Sequence, residues 1–252
     1  MEKQEALFEY NLRIGDNALV LAQRLSEWSG SGPILEEDIA MSNMALDLIG
    51  QSRGFLTYAG AVEGKGRSED DLAYFRDVRL FRNRMLVEMP NGDFGVTMMR
   101  SFLFSAFAYL HFRGLVKSKD ETISGLAEKS LKEVTYHLRH SSQWVIRLGD
   151  GTDESHQRVQ TAANDLWSYT NELFEMNEVD ELLIKEEIAF DLNGFREEWN
   201  QLIKEVFTKA TLEIPDAGYN SKGGINGFHT EHLGFLLAEM QSLPRSLPDA
   251  KW

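Results

Sequence analysis

The sequence contains no cysteine, only five prolines and no long uncharged apolar run. Without cysteine, the chain forms neither disulfides nor thiolate-based zinc or iron–sulfur sites, and it has no thiol nucleophile. No window approaches the roughly 18 apolar residues that a membrane helix needs. Residues 1–5 lack the basic-then-apolar order of a signal peptide. We therefore expect a soluble, cytoplasmic protein that does not contact a membrane.

Basic residues are also scarce. The chain has 26 Lys and Arg against 40 Asp and Glu, which gives a formal net charge of −14 at pH 7. An acidic protein repels phosphate backbones, so we expect no nucleic-acid partner. The hydrophobic share of 42% and the charged share of 26% are typical of a packed globular chain and exclude wholesale disorder.

Long stretches of helical periodicity make up most of the sequence. Apolar residues recur at helical spacing over residues 6–28, 35–62, 70–87, 94–117, 121–148, 154–175, 193–210 and 229–243. The stretches 35–62 and 94–117 are apolar on nearly every side, which predicts that both helices are central. No alternation typical of β-strands appears. We predict an all-α chain with one domain over residues 1–252, a four-helix bundle with additional helices.

Bundles of this kind often hold two metal ions through a Glu-x-x-His pair on each of two helices and a carboxylate on each of the other two. Residues three apart share a helix face, so both side chains reach the metals. None of the six histidines has a glutamate three positions before it. The one Asp153-x-x-His156 falls in a glycine-containing turn, where we expect Asp153 to cap a helix.

Two polar clusters interrupt the apolar helices. One is an i, i+4, i+8 stripe over 35–62, formed by Asn43, Asp47 and Gln51. A buried carboxylate there needs a cationic partner or a metal, so a structural network and a functional site both stay open. The other cluster lies over 121–148 and contains Glu133, Tyr136, His137 and His140. For His137 we expect the inward face, as a hydrogen-bonded core histidine or a metal ligand.

A third cluster, His229, Glu231 and His232, opens the last predicted helix. His229 and His232 share a face, but Glu231 points elsewhere, so capping and contact with a partner are favoured over a metal site. The glycine-rich residues 220–227 lack the preceding strand of a dinucleotide-binding loop, which favours a flexible connection.

Several longer runs are similar to a known family. They cover residues 13–25, 38–53, 86–94, 132–139 and 229–241, with Trp252 at the end of the sequence. Through these runs the whole chain resembles the PaaC-type subunits of bacterial phenylacetyl-CoA 1,2-epoxidases. The resemblance implies a ferritin-like fold and a structural, non-catalytic role in a monooxygenase that epoxidises phenylacetyl-CoA with O₂ and electrons from NADPH.

The same resemblance implies partners and cofactors. The partners are a catalytic ferritin-like subunit of the PaaA type, a reductase and the other epoxidase subunits, and a homodimer stays open as well. The di-iron centre is expected in the catalytic partner, and no cofactor is expected in this chain.

Aligned with the catalytic relative, the chain has Val134 where a ligating glutamate is expected, and only His137 is retained. Asp47 falls where another Glu-x-x-His begins, but Gly50 takes the place of its histidine. The two lone carboxylates correspond to Leu21 and Ser105. Asp47, Glu133 and His137 are thus candidates for the remnant of a metal site, and no catalytic, cofactor-binding or metal-binding residue is expected.

Two other functions stay open. A stand-alone metalloprotein or metal-dependent oxidase would use an unusual site at Asp47 and His137, with Glu133 and Asp16 as further ligands. The second open function is that of a homo-oligomeric ferritin-like protein without an oxygenase partner.

Overall fold

The computed structural model describes residues 1–216, 218–248 and 250, so Trp252 lies outside the described residues. Within the described residues, all regular structure is helical, which confirms the all-α prediction. The helices are α1 (Lys3–Ser26), α2 (Leu35–Glu63), α3 (Glu69–Tyr74), α4 (Met85–Glu88), α5 (Phe94–Leu115), α6 (Glu121–Gly149), α7 (Asp153–Trp167), α8 (Glu178–Lys185), α9 (Arg196–Lys209), α10 (Glu231–Met240) and α11 (Ser242–Ser246). Single 3₁₀ turns lie at Val78–Leu80, Asn171–Phe174, Leu192–Phe195 and Gly224–Asn226.

The chain divides into two compact units. One comprises Met1–Pro90 with Gly223–Trp252, and the other comprises Asn91–Lys222. Each unit contains one pair of long helices, α1 with α2 and α5 with α6. Two such pairs supply the four long helices that a ferritin-like bundle requires. A single domain over residues 1–252 stays a prediction.

In the first unit, α1 and α2 run antiparallel. The side-chain amide of Gln4, at the start of α1, donates to the carbonyl of Val62, at the end of α2. A Cβ on Gly15 would lie 2.8 Å from the Leu56 side chain, so glycine allows the two helices to approach closely there. Every residue of α1 from Tyr10 to Ala22 is buried, which makes α1 a central helix of this unit.

The prediction that α2 is enclosed on nearly every side is wrong. Its inner face is buried through Met41, Met44, Leu48, Phe55 and Leu56. Its outer face leaves Leu35, Ile39, Leu46 and Ile49 between 39% and 72% exposed. A helix that is apolar all round is expected to be covered, but its sequence alone does not specify which chain covers it.

The prediction of one helix over 70–87 is also wrong, because α3, a 3₁₀ turn and α4 divide this stretch. The cause is a carboxylate from a distant part of the chain. Asp16 on α1 accepts hydrogen bonds from the backbone N–H of Arg82 at 2.8 Å and from Arg76 Nη1 at 2.9 Å. An N–H bound to Asp16 has no helical carbonyl partner, and the chain turns there.

The second unit contains the antiparallel pair α5 and α6. The ring of Phe94, at the start of α5, packs edge-on against Trp144, near the end of α6, with 5.0 Å between ring centroids. α5 is buried along almost its whole length, as predicted. Thr152, and not Asp153, caps α7 by accepting a hydrogen bond from the Ser155 backbone N–H. In the glycine-rich residues 220–227, Ile225 is 1% exposed, whereas Asn220, Lys222 and Asn226 are exposed. A flexible connection there stays a prediction.

Candidate functional site

The polar stripe on α2 does not enter the interior as one group. Asn43 is exposed, Asp47 is half-buried and Gln51 is 4% exposed. Positions four apart are offset by about 40° around a helix, because a turn contains 3.6 residues. The stripe therefore runs from the outer face of α2 to its inner face. Asp47 is not the fully buried carboxylate on which the prediction of a network or a metal site depended.

The cluster on α6 is divided between two faces of its helix. His137 is 4% exposed and Val134 is 2% exposed, so both lie on the inner face, as predicted for His137. Glu133 is half-buried, and its carboxylate lies 3.7 Å from the ammonium of Lys129. Tyr136 is 39% exposed. The inner face of α6 thus presents a valine one turn before its histidine.

Asp16, the further ligand of the metalloprotein alternative, is fully buried and held by cationic and backbone donors. Arg76 forms an ion pair with it, and the Arg76 guanidinium also lies over the Phe81 ring, 4.3 Å from the centroid. A carboxylate neutralised in this way is structural, since a metal would have to displace an arginine from the interior.

Among residues 1–216, 218–248 and 250, no three His, Asp or Glu side chains form a group that could hold a metal ion. A di-iron pair in a bundle draws on about four carboxylates and two histidines. The side chains at the aligned inward positions do not fit that donor set, because Val134, Leu21 and Ser105 offer no carboxylate. The expectation that this chain binds no metal stays a prediction.

The C-terminal cluster differs most from its predicted position. The His229 side chain is 1% exposed. Its Nε2 lies 3.0 Å from the carbonyl oxygen of Phe81, and its Nδ1 lies 3.0 Å from Glu88 Oε2. The ring is therefore inside the first unit and not at the surface, where contact with a partner was expected. Glu231 is exposed and His232 is half-buried, and their contact with a partner stays a prediction.

Glu88 organises the polar interior around His229. Its Oε1 accepts from the Thr230 backbone N–H at 2.7 Å, and its Oε2 accepts from Asn83 Nδ2 at 2.9 Å. Its backbone carbonyl accepts from Arg24 Nη2 at 2.8 Å. Because a backbone carbonyl only accepts, the contact with Phe81 places the donor at His229 Nε2. In this group, the Glu88–His229 network, both carboxylate oxygens of Glu88 and both ring nitrogens of His229 have hydrogen-bond partners. The buried Asn83 Oδ1 has none among the described residues.

Sequence reasoning assigned no role to Glu88 or Asn83. Glu88 follows Leu86 and Val87 in an apolar run, and a charged residue in such a run requires buried partners. That signal identifies Glu88 as a network residue, but it does not identify His229, 141 positions later, as its partner.

The network and nearby hydrogen bonds attach the C-terminal helices α10 and α11 to the rest of the first unit. Thr230 caps α10 by accepting from the His232 backbone N–H at 3.3 Å. Further along, Gln241 Nε2 donates to the carbonyls of Ala73 and Arg76 at 3.0 and 2.9 Å. These contacts attach α10 to the segment that contains α3 and α4. No helix of the described residues has the length and apolar character to cross a membrane.

Comparisons with known proteins identify the family of the chain. The model of a family described as "Phenylacetic acid catabolic protein" matches residues 1–252. The chain is 47% identical over 246 residues to the C subunit of the 1,2-phenylacetyl-CoA epoxidase of Escherichia coli (strain K12). That alignment covers 98% of this chain and 99% of the relative. The family is ferritin-like, in agreement with the all-helical structure. This chain belongs to the phenylacetic acid catabolic protein family.

Proposed function

We propose that this chain is a non-catalytic, structural subunit of a phenylacetyl-CoA 1,2-epoxidase. The observation that carries the proposal is its 47% identity to the Escherichia coli protein that is named as the C subunit of that enzyme. The similarity covers 98% of this chain and 99% of the relative.

The donor set supports the non-catalytic part of the proposal. Two of the six positions that would carry di-iron ligands hold Asp47 and His137, and Asp47 is only half-buried. Val134 replaces a charged ligand and is 2% exposed, so the inner face of α6 packs an aliphatic side chain there. An apolar interior needs no metal to neutralise buried carboxylates. Two ligands do not hold an iron pair against water.

The role that follows is to pair with the catalytic ferritin-like subunit and stabilise it. In this assembly the catalytic subunit holds the di-iron centre, and a reductase supplies electrons from NADPH for the epoxidation of phenylacetyl-CoA by O₂. A cytoplasmic location belongs to the proposal, because a coenzyme A thioester is too polar to cross a membrane unaided.

The metalloprotein alternative has less support. Asp16, an optional further ligand of that site, is paired with Arg76 in the interior. The alternative requires Glu133, which lies beside Lys129. No contact of the described residues favours that alternative over the subunit.

Co-expression with the catalytic subunit tests the proposal. We expect a stable hetero-oligomer in size-exclusion chromatography, with an interface above roughly 2,000 Å², as is typical of obligate complexes. Epoxidation of phenylacetyl-CoA, assayed with reductase, NADPH and O₂, should require both chains and be absent from this chain alone. Separate elution of the two proteins, together with full activity of the catalytic subunit by itself, would contradict the proposal.

A further inference from the structure

Three asparagines in the chain directly precede a glycine, namely Asn91, Asn193 and Asn226. Such pairs are prone to spontaneous loss of the side-chain amide, because a glycine nitrogen has no neighbouring Cβ that hinders its attack. Residues 192–195 read Leu-Asn-Gly-Phe and residues 225–228 read Ile-Asn-Gly-Phe, and both asparagines lie in single 3₁₀ turns. Local sequence therefore predicts equal reactivity for Asn193 and Asn226, and only their surroundings in the structure distinguish them.

We propose that Asn193 is a site of spontaneous deamidation through a cyclic imide with Gly194. The backbone nitrogen of Gly194 attacks Cγ of Asn193, and the new C–N bond replaces the bond from Cγ to Nδ2. The side-chain amide leaves as ammonia with the proton of the glycine nitrogen. Water then opens the ring, at Cγ to give aspartate or at the main-chain carbonyl to give isoaspartate. Each product has one more negative charge than asparagine at neutral pH.

Both reacting groups of the Asn193 pair are accessible. Asn193 is exposed, and its side-chain amide has no hydrogen-bond partner in the part of the chain that the structure describes. Gly194 is also exposed, and a Cβ built on it meets nothing within 4 Å. The Gly194 N–H donates to the carbonyl of Asp191 at 3.2 Å, the long end of the normal range. Opening one exposed 3₁₀ turn, whose hydrogen-bond geometry is poor, releases this nitrogen.

The matched pair at Asn226 is packed on its glycine side. Gly227 is buried, and its N–H donates to the carbonyl of Gly224 at 2.9 Å. A Cβ on Gly227 would lie 2.4 Å from the carbonyl oxygen of Arg79, so the backbone of another segment lies directly against this glycine. Releasing the Gly227 nitrogen therefore requires two packed segments to separate, which costs more free energy than opening one exposed turn.

The pair at Asn91 is held by the asparagine itself. Asn91 is half-buried, and its Oδ1 accepts a hydrogen bond from Nη2 of the fully buried Arg100 at 2.6 Å. Its main-chain carbonyl accepts from the Thr97 hydroxyl at 3.0 Å. Turning the side chain toward the nitrogen of Gly92 would take this acceptor away from a buried guanidinium, which costs free energy. The structure thus protects Asn91 and Asn226 and leaves Asn193 open to reaction.

Peptide mapping by mass spectrometry measures the reaction at all three asparagines in one sample. The folded full-length chain is incubated in mildly alkaline buffer, because base favours removal of the proton from the glycine nitrogen. The aspartate and isoaspartate forms of each peptide are then quantified over time. We expect Asn193 to react at least about tenfold faster than Asn226 and Asn91, since their reaction requires a costlier opening of the structure.

Two controls separate the effects of local sequence and of mechanism. In concentrated urea, Asn193 and Asn226 should react at closely similar rates, because the residues around them are nearly identical. In the variant Gly194→Ala, the new methyl group enters open space and hinders the attacking nitrogen. We expect this variant to keep the circular dichroism of the wild-type chain and to slow the reaction at Asn193 at least about tenfold.

Equal rates at Asn193 and Asn226 in the folded chain would overturn the proposal, and so would a faster reaction at Asn91. A reaction at Asn193 that Gly194→Ala does not slow would also contradict it, because direct hydrolysis of the amide would then replace the cyclic imide.

Discussion

At the scale of single residues, the molecule is organised by buried charge. Asp16 and Glu88 each lie at 0% exposure, and each is satisfied by side chains and backbone groups from distant parts of the first unit. Removing one partner from such a pair leaves an uncompensated group in the interior, which costs more than losing a surface contact. A substitution that removes a partner of Glu88 or Asp16 should therefore destabilise the chain more than the loss of an exposed contact.

We predict that His229→Ala lowers the free energy of unfolding by about 3 kcal/mol, because it leaves Glu88 without its ring partner in the interior. His232→Ala is the matched control on the same segment, since its side chain is half-buried and its carbonyl contact with Arg24 is retained. We expect that control to cost less than about 1 kcal/mol. Equilibrium urea denaturation measures both values. Equal stability of the two variants would contradict the structural role of His229.

His229 shows what the sequence could and could not predict at this scale. The sequence shows a histidine beside a helix start, and surface contact with a partner is a reasonable interpretation. Burial of its ring depends on Glu88 and Phe81, which are 141 and 148 positions away. No pattern in the residues around His229 indicates that its ring has partners so far away in the sequence. His137 was placed correctly because the 3.6-residue period of its own helix determines its face.

At the scale of secondary structure, long helices were predictable and short ones were not. The predicted 35–62 and 121–148 agree closely with Leu35–Glu63 and Glu121–Gly149. By contrast, the stretch 70–87 is broken by its contact with Asp16 on another helix. α8 was missed, although Asn177 and Asp180 form a capping box at its start. The exposure of the outer face of α2 depends on which element packs against it. Hydrophobic periodicity within α2 does not show that element.

Gly227 shows how a backbone requirement positions an element. It adopts φ of 80°, and a Cβ there would lie 2.4 Å from the carbonyl oxygen of Arg79. We predict that Gly227→Ala destabilises the chain through both strain and collision, and loosens the attachment of α10. Gly30→Ala is the control for strain alone, because Gly30 has φ of 81° and nothing within 4 Å of its added Cβ.

The two glycine variants should differ measurably. We expect Gly30→Ala to lower the free energy of unfolding by about 1 kcal/mol, which is the usual penalty for an L-residue in the left-handed region. Gly227→Ala should lower the free energy of unfolding by at least about 2 kcal/mol more than Gly30→Ala does. Thermal unfolding followed by circular dichroism gives both values. If the two substitutions cost the same, the close approach of Arg79 to Gly227 would not matter to the packing of this segment.

At the scale of the whole molecule, the all-helical chain is ferritin-like, and its interior contains the Asp16–Arg76 ion pair and the aliphatic Val134. The absence of Glu-x-x-His was fully visible in the sequence, because scanning six histidines needs no structure. The pairing of Asp16 with Arg76 was not visible in the sequence, and it occupies a carboxylate that the metalloprotein alternative offered as an optional ligand.

The iron content of the purified chain tests the central claim most directly. The chain is incubated with ferrous iron under anaerobic conditions, freed of unbound metal and measured by elemental analysis. A structural subunit should retain no stoichiometric iron, and His137→Ala should not change that value. A catalytic bundle would instead hold close to two irons per chain. Two irons per chain, lost on His137→Ala, would contradict the structural role and identify the chain as a metalloenzyme.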